Sequence, residues 1–142
     1  MLYLYEQIWF MKYKAVNPQL GCQIFKALSE FSRVRILSLI QHADEMCISD
    51  LEQILEYTQT KTSRHLSYLK NVGLLDFRKQ DQWVYYYIKE EFSTIVSMAL
   101  GMLETSVLLD DDYASFKTLY ENNALAIRTL HNSKNRYILP EL

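Results

Sequence analysis

Gln59, Lys61, Ser63 and Arg64 fall within two helical turns of one another and bring together an amide, an ammonium, a hydroxyl and a guanidinium. These are the groups that pair with base edges and phosphates, and a helix presenting them suits the major groove of DNA, where bases offer both donors and acceptors. The same stretch carries Leu66, Leu69 and Val72 at helical spacing, so its other side is apolar and must pack on a core. Thr58 is placed to cap the start of this helix and Gly73 to close its end. The segment from 58 to 73 therefore predicts a helix with one face buried and the other offered to a polyanion.

The chain has 142 residues, 49% of them apolar and 23% charged, which fits one domain (1–142) with a real core and excludes a disordered chain. Three Gly and two Pro point to long helices and few tight turns. Net charge is −2, yet from Thr58 to Lys79 five cations face one anion, leaving that stretch at +4 and the remainder at −6. A basic patch on an acidic body binds DNA in one orientation and repels it elsewhere, although a solvated surface has the same composition. No signal peptide is expected, because Glu6, Lys12 and Lys14 interrupt the apolar start. The uncharged run from Phe92 to Leu103 is too short to cross a bilayer. Two cysteines make no disulfide framework, and a cytoplasmic location is expected.

The elements that position the polar helix follow from periodicity. Residues 2–15 are helical and rich in aromatics, with Tyr3, Tyr5, Trp9, Phe10 and Tyr13 apolar on more than one side. Asn17-Pro18 breaks this segment and starts a helix over 18–30. Ser32 is read as the cap of a third helix, and Met46-Cys47-Ile48 as a short strand-like piece. Ser49, three residues before Glu52, predicts a capping box for a helix over 50–57. A very short turn then leads into the polar helix, giving a helix-turn-helix. Residues 74–79 and 83–88 predict a hairpin, with Arg78 and Lys79 near its tip. Residues 90–109 predict one long helix, apolar nearly all round, which must be covered by a partner subunit. Asp110-Asp111-Asp112 is read as opening a further helix over 113–131, followed by a loose tail over 132–142. The expected fold is mainly α with a small sheet (α+β). Residues 20–89 form a winged helix-turn-helix core, with an N-terminal dimerisation helix over 1–19 and C-terminal dimerisation helices over 90–131.

The wording of residues 20–92 resembles the ArsR/SmtB family of bacterial repressors. The likeness is carried by Phe25-Lys26-Ala27-Leu28-Ser29, Arg33-Val34-Arg35-Ile36-Leu37, Met46-Cys47-Ile48-Ser49-Asp50-Leu51, Ser63-Arg64-His65-Leu66, Gly73-Leu74-Leu75 and Trp83-Val84-Tyr85-Tyr86. The resemblance implies a homodimeric repressor of transcription. Its two recognition helices would enter successive major grooves of double-stranded DNA at a near-palindromic operator, and an unidentified small effector would release it. Gln59, Thr60, Ser63 and Arg64 would face the groove, Lys61 and His65 would reach phosphates, and Arg78 and Lys79 would steady the wing on the backbone.

The sequence departs from the family's sensors. Where an arsenic-type site needs a second thiolate beside Cys47 stands Ser49, and residues 90–109 contain no histidine for a zinc-type site. Cys22 and Cys47 remain as candidates for a thiol switch or, with His42, for a soft-metal site shared between subunits. Read plainly, they are two small buried apolar residues. His65 is otherwise a capped surface group, Tyr85 to Tyr87 strand formers, His131 a solvated side chain, and Met98 and Met102 parts of a dimer core. The alternative to a regulator is a dimeric winged-helix interaction module without DNA binding. No cofactor and no enzyme chemistry are expected, since no nucleophile–base pair, glycine-rich phosphate loop or paired carboxylates are found.

Overall fold

The computed structural model describes residues 16–103 and 107–136. The expectations for the aromatic segment 2–15 and for the tail beyond residue 136 lie outside the described residues. Helix α1 (Pro18–Leu28) starts where Asn17 accepts from the Leu20 backbone N–H at 2.8 Å with Pro18 in the first turn. Helix α2 (Phe31–Ala43) follows, then strand β1 (Glu45–Cys47), helix α3 (Ile48–Leu55), helix α4 (Gln59–Val72), strands β2 (Leu75–Gln80) and β3 (Trp83–Ile88), and helices α5 (Glu90–Met102), α6 (Val107–Glu121) and α7 (Ala126–Arg136). The three strands form an antiparallel sheet in the order β1-β3-β2, with Glu45 opposite Tyr87 and Arg78 opposite Tyr85. This is a winged helix-turn-helix with helical extensions.

The core is built around α2, whose Ile36, Leu37, Leu39 and Ile40 are buried together with Leu51 and Ile54 of α3, Leu66 and Leu69 of α4, and Val96 of α5. Phe116 of α6, Leu125 before α7, and Ile127 and Leu130 of α7 join the same cluster. The last two helices thus bury apolar residues in this chain's own core, where the sequence predicted surfaces for a second subunit.

Several boundaries differ from expectation, each for a local reason. Glu30, not Ser32, caps α2 through its carboxylate, and Ser32 instead accepts a hydrogen bond from the Tyr57 hydroxyl. Helix α3 begins at Ile48, so Ser49 lies inside it with its hydroxyl 3.2 Å from the Cys47 sulfur, and no capping box forms. The helix predicted over 90–109 stops at Met102, just after Gly101, a residue that loses more backbone freedom in a helix than any other. The acidic triplet lies inside α6 rather than before it, and Asp112 pairs with Arg35. The helix predicted over 113–131 is two helices, broken where Asn123 takes φ 57, a region asparagine visits more readily than most residues. The second of them runs on to Arg136, through the start of the predicted tail. No helix among the described residues is long and apolar enough to cross a membrane.

Candidate nucleic-acid interface

Helix α4 takes the two-faced form that its sequence dictates. The Thr58 hydroxyl accepts from the Lys61 N–H at 3.2 Å, and Gly73, at φ 94, closes the other end with its N–H on Leu69 and Lys70 carbonyls. Thr62, His65, Leu66 and Leu69 are buried along one stripe, and Thr62 returns its hydroxyl to the Thr58 carbonyl at 2.9 Å. Gln59, Thr60 and Arg64 are exposed and Ser63 is half-buried beside them. Ser67 and Asn71, exposed seven and eleven residues after Thr60, prolong this polar strip. The sequence reading missed both, although continuing the same period would have found them.

Lys61 is half-buried because its ammonium lies 3.7 Å from the centre of the Tyr57 ring. Tyr57, in the turn between α3 and α4, is itself held by two residues of α2. Its hydroxyl accepts from Arg35 Nη1 at 2.8 Å and donates to Ser32 Oγ at 3.1 Å. Lys79 is exposed on the wing, opposite Val84. Lys70, also unpredicted, sets its ammonium 4.8 Å from the Phe77 ring and so joins the end of α4 to the wing.

Two candidate residues point elsewhere. His65 is 5% exposed, its Nδ1 lying 3.7 Å from Glu30 Oε2. Three residues after Thr62 and four before Leu69, it falls on the buried stripe, where an imidazole cannot reach phosphate. Arg78 places Nε and Nη2 on the Glu45 carboxylate, both at 2.6 Å, and Nη1 on Gln80 Oε1 at 2.7 Å. The hairpin tip is Asp81-Gln82, so Arg78 stands three residues back from it, beside a buried acid. Lys134 of α7 shares that acid at 2.7 Å. Burial works to raise the Glu45 pKa, but Arg78 and Lys134 outweigh it and hold the carboxylate below its usual range.

Burial also lowers the pKa of His65, with the cations Arg64, Arg33 and Lys61 adding to the effect and Glu30 opposing it. The folded protein therefore resists the imidazolium, and the unfolded chain takes up the proton first. The stability this residue contributes is complete above the unfolded-state value of about 6.5 and is lost as pH falls through the lowered folded value. In thermal melts from neutral pH downwards, His65→Gln should flatten this part of the profile. An unchanged slope would show that His65 is not the titrating group.

The two cysteines occupy unlike settings. Cys47 is 2% exposed, and burial pushes its thiol up to about 11, which suppresses the thiolate that pairs or binds metal. Cys22 is exposed. His42 stacks on Tyr113 at 4.6 Å between ring centres, and His131, expected in solvent, is half-buried with Nδ1 2.9 Å from the Tyr120 hydroxyl. Among the described residues no three His, Cys, Asp or Glu side chains gather where they could hold a metal ion. Tyr85 is buried in the sheet, as a strand residue would be.

Residues 32–76, from α2 through the helix-turn-helix to the start of the wing, match the family model described as bacterial regulatory protein, arsR family. An HTH-type transcriptional regulator of Methanocaldococcus jannaschii is 35% identical over 71 residues, which are 50% of this chain and 80% of that protein. The chain belongs to the ArsR family. It is also 37% identical over 75 residues, 53% of its length, to a cadmium resistance transcriptional regulatory protein CadC homologue of Staphylococcus aureus, and spans 62% of that relative. Among solved structures, HlyU of Vibrio cholerae superposes with a TM-score of 0.57 at 25% identity, covering 65% of this chain and all of that one. The arsR-type match ends at residue 76, so α5, α6 and α7 lie outside it.

Proposed function

We propose that this chain is a sequence-specific DNA-binding regulator of transcription, a homodimeric repressor acting on a near-palindromic operator and released by a small effector. The observation that carries the reading is the division of α4, with Leu66 and Leu69 buried and Gln59, Thr60, Ser63 and Arg64 turned outward in its first two turns. Gln59, Thr60, Ser63, Arg64, Ser67 and Asn71 would read the groove, and Lys61, Lys70 and Lys79 would grip phosphate. His65 and Arg78 would serve by holding α4 and the wing in place. A second copy is supported by apolar side chains left open on α1, α2 and α5, among them Phe25 at 64% and Met102 at 83% exposure.

Selection of bound duplexes from a random pool tests the whole reading. It should return inverted half-sites with centres about 10 base pairs apart or a multiple of that, while sedimentation gives a dimer. No binding at low salt would overturn the reading in favour of an interaction module. On the selected duplex, Lys79→Ala should reduce the slope of log affinity against log salt by about 1. Arg78→Gln should leave that slope unchanged, because its charge is already engaged by Glu45. Equal effects of the two changes would show that Arg78 also meets the backbone.

A further inference from the structure

A groove of about 560 Å³ runs between α3 and α6. Its apolar wall includes Ile54, Leu55 and Leu119, and the Arg35–Asp112 pair lies within it. Its size falls within the range of small-molecule sites. The charge of the groove selects the occupant. All three Arg35 nitrogens are engaged, Nε and Nη2 donating to Asp112 at 2.8 and 2.7 Å and Nη1 to Tyr57, so no cation is left for an anionic guest. Asp111 and Glu56, by contrast, reach the groove as exposed carboxylates with no hydrogen bond or ion pair to any described residue. Two uncompensated negative charges beside an apolar wall call for a cation carrying an apolar body.

We propose that this groove binds a small amphipathic organic cation, and that its occupancy is felt at Lys61 of α4. The path is short. A cationic head that enters beside Asp111 competes for Asp112, and Asp112 holds Arg35. Arg35 in turn holds the Tyr57 hydroxyl, and the Tyr57 ring holds the Lys61 ammonium at the first turn of α4. Loosening the ion pair therefore frees Lys61 from its set position. The binding site stands by itself, whereas the effect on DNA rests on the function proposed above.

The probes are benzamidine and 2-phenylethylamine, cations with a phenyl body, with neutral benzamide as the control. Titrated into the isotope-labelled full chain, both cations should give saturable shifts in the amides of residues 53–56 and 108–119, and benzamide should not. Asp111→Asn with Glu56→Gln, both at exposed positions, should abolish the shifts without changing the melting temperature. Ala114→Arg, which fills the groove, should do the same and leave the dimer intact. Benzamidine should weaken binding to the selected duplex at least about fivefold, the lower end of ordinary coupling between sites. In Tyr57→Phe, which lacks the hydroxyl that Arg35 grips, the amide shifts should persist while the effect on DNA disappears. No saturable shifts with either cation, equal binding of benzamide, or loss of the dimer in Ala114→Arg would each overturn the proposal. Should the shifts appear in a chain that binds no DNA, the groove stands and the regulatory reading falls.

Discussion

Replacing Arg64 by alanine is expected to lower affinity for the selected duplex by about five- to 150-fold, the worth of one good side-chain-to-base contact at 1–3 kcal/mol. Position sets this size. Arg64 is exposed in the second turn of α4 and makes no hydrogen bond or ion pair with any described side chain. The chain's other arginines near the helix-turn-helix differ in this respect. Arg33 donates to the Ala27 and Lys26 carbonyls and stacks 4.1 Å from the Tyr68 ring, Arg35 is held by Asp112 and Tyr57, and Arg78 by Glu45. Their charges are neutralised or fixed within the fold, so Arg64 keeps a guanidinium ready to meet two acceptors on a base. The loss should be largest on the preferred sequence and small on random DNA, since a base contact specifies while a phosphate contact merely attracts. Stability should change by no more than about 0.5 kcal/mol, as for other exposed positions. A uniform loss across sequences would recast Arg64 as a phosphate contact.

What was legible in the chain follows from the range of the interactions involved. Thr58 and Gly73 act within four residues of themselves, and the ends of α4 agree with a reading made from those two residues. Alternation over Trp83 to Ile88 is equally local and places β3 without error. The errors lie where a partner far along the chain decides. Arg78 looked free because Glu45 is 33 residues away, and the acidic triplet looked like a helix start because Arg35 is 77 residues from Asp112. His65 could have been placed by a closer look at period, since its position matches Thr62 and Leu69 better than Lys61 and Arg64. Arg33 and Arg35 gave a signal too. Two arginines flanking Val34, beside the apolar run Ile36-Leu37, must either reach solvent or find acceptors, and here both find acceptors.

Asp50→Ala is expected to cost about 3 kcal/mol of stability, more than a helix cap alone usually contributes. Asp50 is 0% exposed, and its two carboxylate oxygens accept from the backbone N–H groups of Ala126 and Ile127 at 2.8 and 2.9 Å. It therefore caps α7 from another helix, 76 residues earlier in the chain, meeting donors that the helix cannot satisfy itself and placing negative charge at the positive end of its dipole. Alanine would leave both N–H groups buried without acceptors beside Leu125, Ile127 and Leu130, which are all at least 97% buried. Asparagine keeps one acceptor oxygen but turns its amide NH2, a donor, toward the other N–H, so Asp50→Asn should lose roughly half as much. Urea titration distinguishes global from local loss. A lower midpoint at constant slope means that α7 unfolds with the core, whereas a shallower slope means that α7 has already detached in the native state. Either way DNA affinity should hold, because no residue proposed to touch DNA lies on α7. A loss below about 1 kcal/mol would mean that water satisfies the two donors as well as Asp50 does.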